Sequence, residues 1–178
     1  MDTLDLYDRA CTWNLGHVDE AAGRLDDPSP NPGWDVRTLL NHMLETQHYF
    51  TDSALGREAA PPSKEPPPLI SGDPAADFRQ ARDQALDAFG ADGVVDKTGP
   101  MIGIAFGDTL LHGWDLAVAT GRDTTMPPDL AEAAYEFLYG RFTDDQRVGV
   151  FGPELPVSET ASAQDKLLAY VGRDPALG

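Results

Sequence analysis

Cysteine is almost absent from this chain of 178 residues, in which Cys11 is the one example. A single cysteine cannot form an internal disulfide. Cys11 lies on the apolar stripe of the first predicted helix, which favours a small buried hydrophobic residue over a reactive thiol. A domain of this length can bury roughly 70% of the surface that its unfolded chain exposes, so it needs no structural metal to fold. A metal in this protein would therefore serve its function.

Basic residues are also scarce, since 13 Lys and Arg stand against 30 Asp and Glu and the formal charge is −17. Binding to phosphate backbones needs clustered basic residues that release counterions, so we expect no nucleic-acid partner. The same charge opposes binding to an anionic membrane surface. No window approaches the roughly 20 apolar residues that span a bilayer, and the N-terminus lacks the basic and apolar regions of a signal peptide. We expect a soluble cytoplasmic protein with no membrane partner.

Apolar residues recur at helical spacing in six segments. Four predicted helices are long and cover about residues 3 to 26, 35 to 55, 74 to 90 and 104 to 120; two shorter ones cover about 129 to 139 and 166 to 171. Proline-rich composition predicts loops over residues 26 to 33 and 56 to 72. We expect a loop or an isolated extended piece over residues 91 to 102 and an extended tail over 148 to 153. The pattern predicts one all-α domain over residues 1 to 178, an up-and-down four-helix bundle with a shorter C-terminal helical appendage.

The fourth long helix carries a polar stripe on an otherwise apolar rod. Asp108, His112 and Asp115 follow one another at spacings of four and three, so they lie on one face of the helix. Buried ionisable groups are costly unless they are paired or coordinated. One interpretation is a hydrogen-bonded core cluster without metal, in which Asp115 pairs with Arg122 or Arg37. The other interpretation is a metal site.

A second long helix offers the missing ligand, because His42 lies at its inner edge. Metal sites in bundles are built from side chains on facing helices, so His42, Asp108 and His112 form the candidate ligand set. Two imidazoles and a carboxylate suit Zn²⁺, and also Fe²⁺ or Ni²⁺, and three ligands leave one coordination position open. Glu45 could orient His42 or could be an exposed helix charge. Of the other histidines, His48 is rotated about 240° from His42 and is expected to face away, and His17 is only a reserve ligand.

Four short motifs carry a resemblance to a known family. They are WDVRTLLNH at residues 34 to 42, DTLLHGWDLAVATG at 108 to 121, FGP at 151 to 153 and DKLLAYVGRDP at 165 to 175. Together they resemble the DinB-like superfamily, and within it the actinobacterial metal-binding branch related to the N-terminal domain of mycothiol-dependent maleylpyruvate isomerase. The similarity spans nearly the whole chain, and the HGWDLA string is its most specific part.

The resemblance implies a four-helix bundle with a divalent metal, often zinc, held at the positions of His42, Asp108 and His112. It also implies chemistry with a low-molecular-weight thiol such as mycothiol. One departure is that Asp108 stands where the isomerase has a glutamate. Aspartate is shorter by one methylene, so the metal would sit closer to the helix or be held less tightly.

These observations favour a metal-dependent transferase or isomerase that acts on a small molecule through a thiol. The alternatives are a non-catalytic module that binds metal or a small molecule, and a metal-dependent hydrolase with Glu45 or Asp115 as general base. Trp34, Trp114 and the proline-rich loop could line the substrate entrance or serve only as core and scaffold. Bundles of this kind often pair through a helix face, so a homodimer is a further expectation.

Overall fold

The computed structural model describes residues 2–147 and 150–178 of the chain. Val148 and Gly149, the start of the tail predicted to be extended, lie outside the described residues. Within those ranges the secondary structure is helical, and the helices are α1 (Thr3–Ala21), α2 (Val36–Ala54), α3 (Pro74–Gly90), α4 (Val94–Thr98), α5 (Met101–Thr120), α6 (Pro128–Leu138), α7 (Asp144–Arg147), α8 (Ala163–Tyr170) and a 3₁₀ turn, Pro175–Leu177. The predicted all-α helical bundle is confirmed.

Capping residues explain where the predicted helices begin. A side-chain oxygen of Asp2, Asp35, Asp73 and Ser162 accepts a hydrogen bond from a backbone N–H in the first turn of α1, α2, α3 and α8 respectively. Helix α5 ends where expected, at Gly121, whose φ of 63° is the left-handed conformation that favours glycine. The prediction of a loop or extended piece over residues 91 to 102 is wrong, because α4 and the start of α5 lie there. Gly93 and Gly99 flank α4 with φ of 72° and 61°, a positive φ that favours glycine.

The four long helices form a ring around the core. Helix α1 packs against α3 and α5, and α2 packs against the same two helices from the opposite side. Helices α6 and α8 and the 3₁₀ turn extend this ring on the outer side of α5 as the C-terminal appendage. Helix α5 is therefore covered by α1, α2 and α6, which explains why it is apolar nearly all the way round. The largest fully buried side chains include Trp114, Tyr7, Phe78, Phe89 and Phe106.

Contacts between the helices give their directions. Helices α1 and α5 run one way, and α2 and α3 run the other way. The contacts that establish this are Leu4 with Gly90, Asp8 with Arg82, Asn14 with Thr109, Arg24 with Thr120, His42 with His112 and Gln47 with Thr109. Strict up-and-down alternation therefore holds from α1 to α2 but not from α2 to α3. The long proline-rich segment is the reason, because it returns the chain along the roughly 28 Å of α2 before α3 begins.

This return segment is held on α2 by side chains. The Asn41 amide oxygen accepts hydrogen bonds from the backbone N–H of Leu69 at 2.7 Å and of Ile70 at 3.0 Å. The Glu45 carboxylate accepts from the backbone N–H of Ser63 at 3.0 Å. One surface of α2 is thus covered by a loop that is anchored at several points along its length.

Helix α1 approaches α5 closely beside the polar stripe. A Cβ atom on Gly113 would lie 2.6 Å from Cζ3 of Trp13, which is closer than real Cβ contacts permit. Glycine at this position therefore lets α1 pack directly against the turn of α5 that carries His112. None of the helices in residues 2–147 and 150–178 combines the length and apolar character needed to cross a membrane.

Candidate metal centre

Three side chains from two facing helices meet inside the bundle. His42 comes from α2, and Asp108 and His112 come from successive turns of α5. Each offers one ligand atom, and these three atoms lie within 4.8 Å of one another. The two imidazole rings meet edge to face with centroids 4.9 Å apart, and Nε2 of His112 lies 3.4 Å from Oδ1 of Asp108. The residues that the polar stripe and the inner edge of α2 predicted are thus brought together.

Asp115 orients His112. Its Oδ2 lies 2.9 Å from Nδ1 of His112, and the carboxylate is only 1% exposed. A hydrogen bond donated by Nδ1 leaves Nε2 directed at Asp108 and His42. Metal-binding histidines are commonly held by a carboxylate in this way, which fixes both the ring orientation and the tautomer.

The partner of Asp115 is Arg173, and the expectation of Arg122 or Arg37 is wrong. Nε of Arg173 donates to Oδ1 of Asp115 at 2.8 Å and Nη2 donates to Oδ2 at 2.7 Å, which is a two-pronged ion pair. Arg122 instead pairs with Glu20, and Arg37 pairs with Asp26. Both of those ion pairs lie nearer the protein surface.

Electrostatics separate the two histidines of the cluster. Burial opposes the protonated form of His112, but the carboxylates of Asp108 and Asp115 outweigh it and raise its pKa to about 9. Burial and the neighbouring charge of His112 lower the pKa of His42 to about 4. Burial works to raise the pKa of Asp108, but the attraction of His112 outweighs it and the pKa lies below its usual range. The pKa of Asp115 is likewise well below its usual range, because Arg173 and His112 outweigh the effect of burial.

The cluster fits a divalent cation by its donor set. His42 is neutral at physiological pH, as a metal ligand must be, and its Nδ1 is buried with no hydrogen-bond partner among the described residues. A buried polar atom without a partner is costly and calls for an explanation. Two imidazole nitrogens and one carboxylate oxygen match the His₂–carboxylate set of catalytic zinc sites. The interpretation as a metal-free polar cluster accounts for the contacts of Asp115 and His112 and gives this atom of His42 no partner among the described residues.

The remaining candidate residues lie elsewhere. His48 lines a surface cavity with Leu44, Leu69 and Asp77, so it faces away from the cluster as expected. The reserve ligand His17 packs edge to face on Trp13 and is not a member of the ligand cluster. Glu45 anchors the return segment through Ser63 and does not orient His42.

The aromatic residues near the motifs divide into core and site. Trp114 is fully buried, so it belongs to the core and does not line an entrance. Trp34 is half-buried with its ring 4.9 Å from that of His42, and its Nε1 donates to the backbone oxygen of Lys64 in the return segment. Trp34 and this segment therefore form a wall beside the cluster.

Cys11 is a buried core residue as predicted, and burial raises the pKa of its thiol to about 12.

Sequence reasoning missed Arg173 as part of this cluster. Arg173 lies 58 residues after Asp115, and no spacing rule joins a helix to a residue so far along the chain. The available signal was the GRDP string at residues 172 to 175, which served only to support the family resemblance.

The chain is similar in sequence to a known family and to two mycobacterial proteins. The family model of the mycothiol maleylpyruvate isomerase N-terminal domain matches residues 10–117, which include all three candidate ligands. Two uncharacterized proteins of Mycobacterium tuberculosis, from strains CDC 1551 / Oshkosh and H37Rv, are each 32% identical over 166 residues, covering 85% of this chain and 86% of the relative. No solved structure matches the chain significantly.

Proposed function

Because the chain belongs to the mycothiol maleylpyruvate isomerase N-terminal domain family, we propose that it is a metal-dependent enzyme that transfers or isomerises a small molecule with the help of a low-molecular-weight thiol. The ligands of the metal are His42, Asp108 and His112. The observation that carries this proposal is the convergence of their three ligand atoms within 4.8 Å, beside a buried nitrogen of His42 that has no partner among the described residues.

The donor set favours Zn²⁺, with Ni²⁺ or Fe²⁺ as the alternatives that the same ligands accept. When bound, such a cation acts as a Lewis acid and lowers the pKa of a thiol that reaches its open coordination position. Within the protein, Asp115 holds His112 in the orientation that ligation needs, and Trp34 walls one side of His42.

The thiol has to come from outside the protein. The one cysteine of the chain, Cys11, is fully buried, and its pKa of about 12 keeps it protonated at neutral pH. An external thiol such as mycothiol therefore supplies the nucleophile in this proposal. The partners are accordingly that thiol and a small electrophilic substrate.

Hydrolysis with water at the metal is less well supported. The two carboxylates considered as general bases are both engaged, because Glu45 accepts from the backbone of Ser63 and both oxygens of Asp115 accept from Arg173. A general base must be able to reach a water molecule and accept its proton. A thiol that reaches the metal would have a lowered pKa and would release its proton to solvent.

The test begins with the metal content of the purified protein and of two matched variants. His112→Ala removes a ligand, whereas His48→Ala removes a histidine of α2 that faces away from the cluster. We expect about one metal ion per chain in the wild type and in His48→Ala, and a loss of most of it in His112→Ala. Undiminished metal in His112→Ala would contradict the ligand assignment.

Activity is then measured as conjugation of mycothiol or a thiol analogue to an electrophile, before and after chelation with EDTA. We expect chelation to abolish turnover and Zn²⁺ to restore it. Turnover that survives complete metal removal would refute the proposed chemistry. Stoichiometric metal without any turnover would identify the protein as a non-catalytic binding module.

A further inference from the structure

The side chain of Arg173 reaches the candidate metal centre from a part of the chain beyond the matched family domain. The match ends at residue 117, while Arg173 follows α8 near the C-terminal end of the sequence. It nevertheless forms the two-pronged ion pair with Asp115, and Asp115 in turn holds His112. We propose that Arg173 is a positioning residue of the metal site, which fixes Asp115 and through it directs Nε2 of His112 at the metal. This inference rests on the metal site of the proposed function.

Both oxygens of Asp115 are committed to hydrogen bonds. Oδ1 accepts from Nε of Arg173, and Oδ2 accepts from Nη2 of Arg173 and from Nδ1 of His112. A planar guanidinium that engages both oxygens fixes the plane of the carboxylate, not only its charge. The direction of the hydrogen bond to His112 is therefore set by the side chain of Arg173.

The backbone of Arg173 is itself fixed by hydrogen bonds. The N–H of Arg173 donates to the carbonyl of Leu168 at 2.8 Å, and the N–H of Gly172 donates to that of Ala169 at 3.1 Å. With Gly172 at a φ of 79°, these bonds form the Schellman motif that ends α8. The end of a packed helix thus holds Arg173 in place beside α5.

A close backbone contact between Gly172 and Gly152 supports this cap. A Cβ atom on Gly172 would lie 2.5 Å from the backbone of Gly152, so glycine at position 172 lets the two segments touch. Arg147 supports the same region by donating to the carbonyl oxygens of Gly152 and Tyr170. The FGP and GRDP strings therefore pack against each other, and this packing delivers Arg173 to Asp115.

The test compares Zn²⁺ affinity at pH 7, measured by competition with a chromophoric chelator, in the wild type, Arg173→Ala, Arg173→Lys and Arg122→Ala. Groups that hold a ligand by hydrogen bonds typically contribute about 10- to 100-fold to metal affinity, so Arg173→Ala should weaken binding by that factor. The Zn²⁺ affinity of Arg173→Lys should lie between those of the wild type and Arg173→Ala, because lysine keeps the charge but lacks the planar guanidinium. Arg122→Ala is the matched control, since it removes an arginine that pairs with Glu20 nearer the surface and has no part in the packing that places Arg173, and its affinity should stay within about twofold of the wild type.

The visible absorption of the Co²⁺-loaded proteins provides a readout of ligand geometry. We expect the bands to shift in Arg173→Ala and to remain unchanged in Arg122→Ala. Wild-type affinity and an unchanged Co²⁺ spectrum in Arg173→Ala would overturn the inference alone. A wild type that binds neither ion would overturn the proposed function and this inference with it. If Arg173→Ala does not fold, Arg173→Lys decides: weakened Zn²⁺ binding supports the role, and wild-type binding overturns it.

Discussion

Metal binding should displace about one proton from the cluster at pH 7, and that proton should come from His112. With a pKa of about 9, His112 is about 99% protonated at pH 7 in the metal-free protein, whereas His42, with a pKa of about 4, is about 0.1% protonated. The pKa of Asp108 lies below its usual range, so this carboxylate is already ionised. Because a ligand nitrogen must be free of its proton, one proton per metal ion has to leave.

The raised pKa of His112 also sets the pH dependence of metal affinity. Between about pH 5 and pH 8 each unit of pH should raise the affinity about tenfold, because one proton competes with the metal. The rise should level off near pH 9, where His112 of the metal-free protein becomes neutral. Below about pH 4 the slope should steepen, because His42 then also binds a proton.

The contribution of His112 to the stability of the metal-free protein should fall as the pH rises, whereas the metal affinity increases. The folded-state pKa of His112 is raised above its ordinary value of 6.5, so the folded state binds this proton more tightly than the unfolded chain does. The resulting contribution to stability is fully present below about pH 6.5 and is lost as the pH rises through about 9. The gain in melting temperature on adding Zn²⁺ should therefore grow with pH over this window.

Isothermal titration calorimetry of Zn²⁺ binding, repeated at pH 7 in buffers of different ionisation enthalpy, counts the released protons. We expect about one proton per ion in the wild type and the same number in His48→Ala. A count near zero would refute the raised pKa of His112.

Two further predictions concern the stability of the groups around the cluster. Asp115→Asn leaves the guanidinium of Arg173 buried without its counter-charge, which should cost about 3–5 kcal/mol of stability and lower the melting temperature of the EDTA-treated protein by about 6–20 °C. Adding Arg173→Met to this variant should recover part of the lost stability. A change in stability below about 0.5 kcal/mol in Asp115→Asn would contradict the buried ion pair. Gly172→Ala combines a left-handed backbone with the contact on Gly152 and should cost about 2–5 kcal/mol in denaturant unfolding. Gly56→Ala, with a similar φ of 70° and open space, should cost only about 1–2 kcal/mol, and equal losses in both variants would disprove the role of the close contact.

Most of the helices were predictable because their signals are local. The apolar period, the capping residues Asp2, Asp35 and Asp73 and the terminal Gly121 act within a few residues of the ends they define. The short helix α4 was not predicted, since five residues are too few to display a helical period. The direction of α3 was also not predictable from local signals, because it depends on how the return segment packs along α2.

The candidate ligands illustrate the same division. Asp108, His112 and Asp115 share a helix, so their common face follows from the helical period alone. The inner-edge position of His42 on α2 is likewise a local property. The sequence by itself therefore determined the helical class of the protein and which polar side chains point into the bundle.

Only the tertiary structure decided which of these groups touch. The distance between His42 and His112 depends on the relative rotation and register of α2 and α5, which are set by core packing and by contacts such as the hydrogen bond from Gln47 to Thr109. The pairing of Asp115 with Arg173 requires the Schellman end of α8 to meet α5 across 58 residues of chain. Spacing within a helix is fixed by its backbone hydrogen bonds, whereas the meeting of distant segments depends on the packing of the whole molecule.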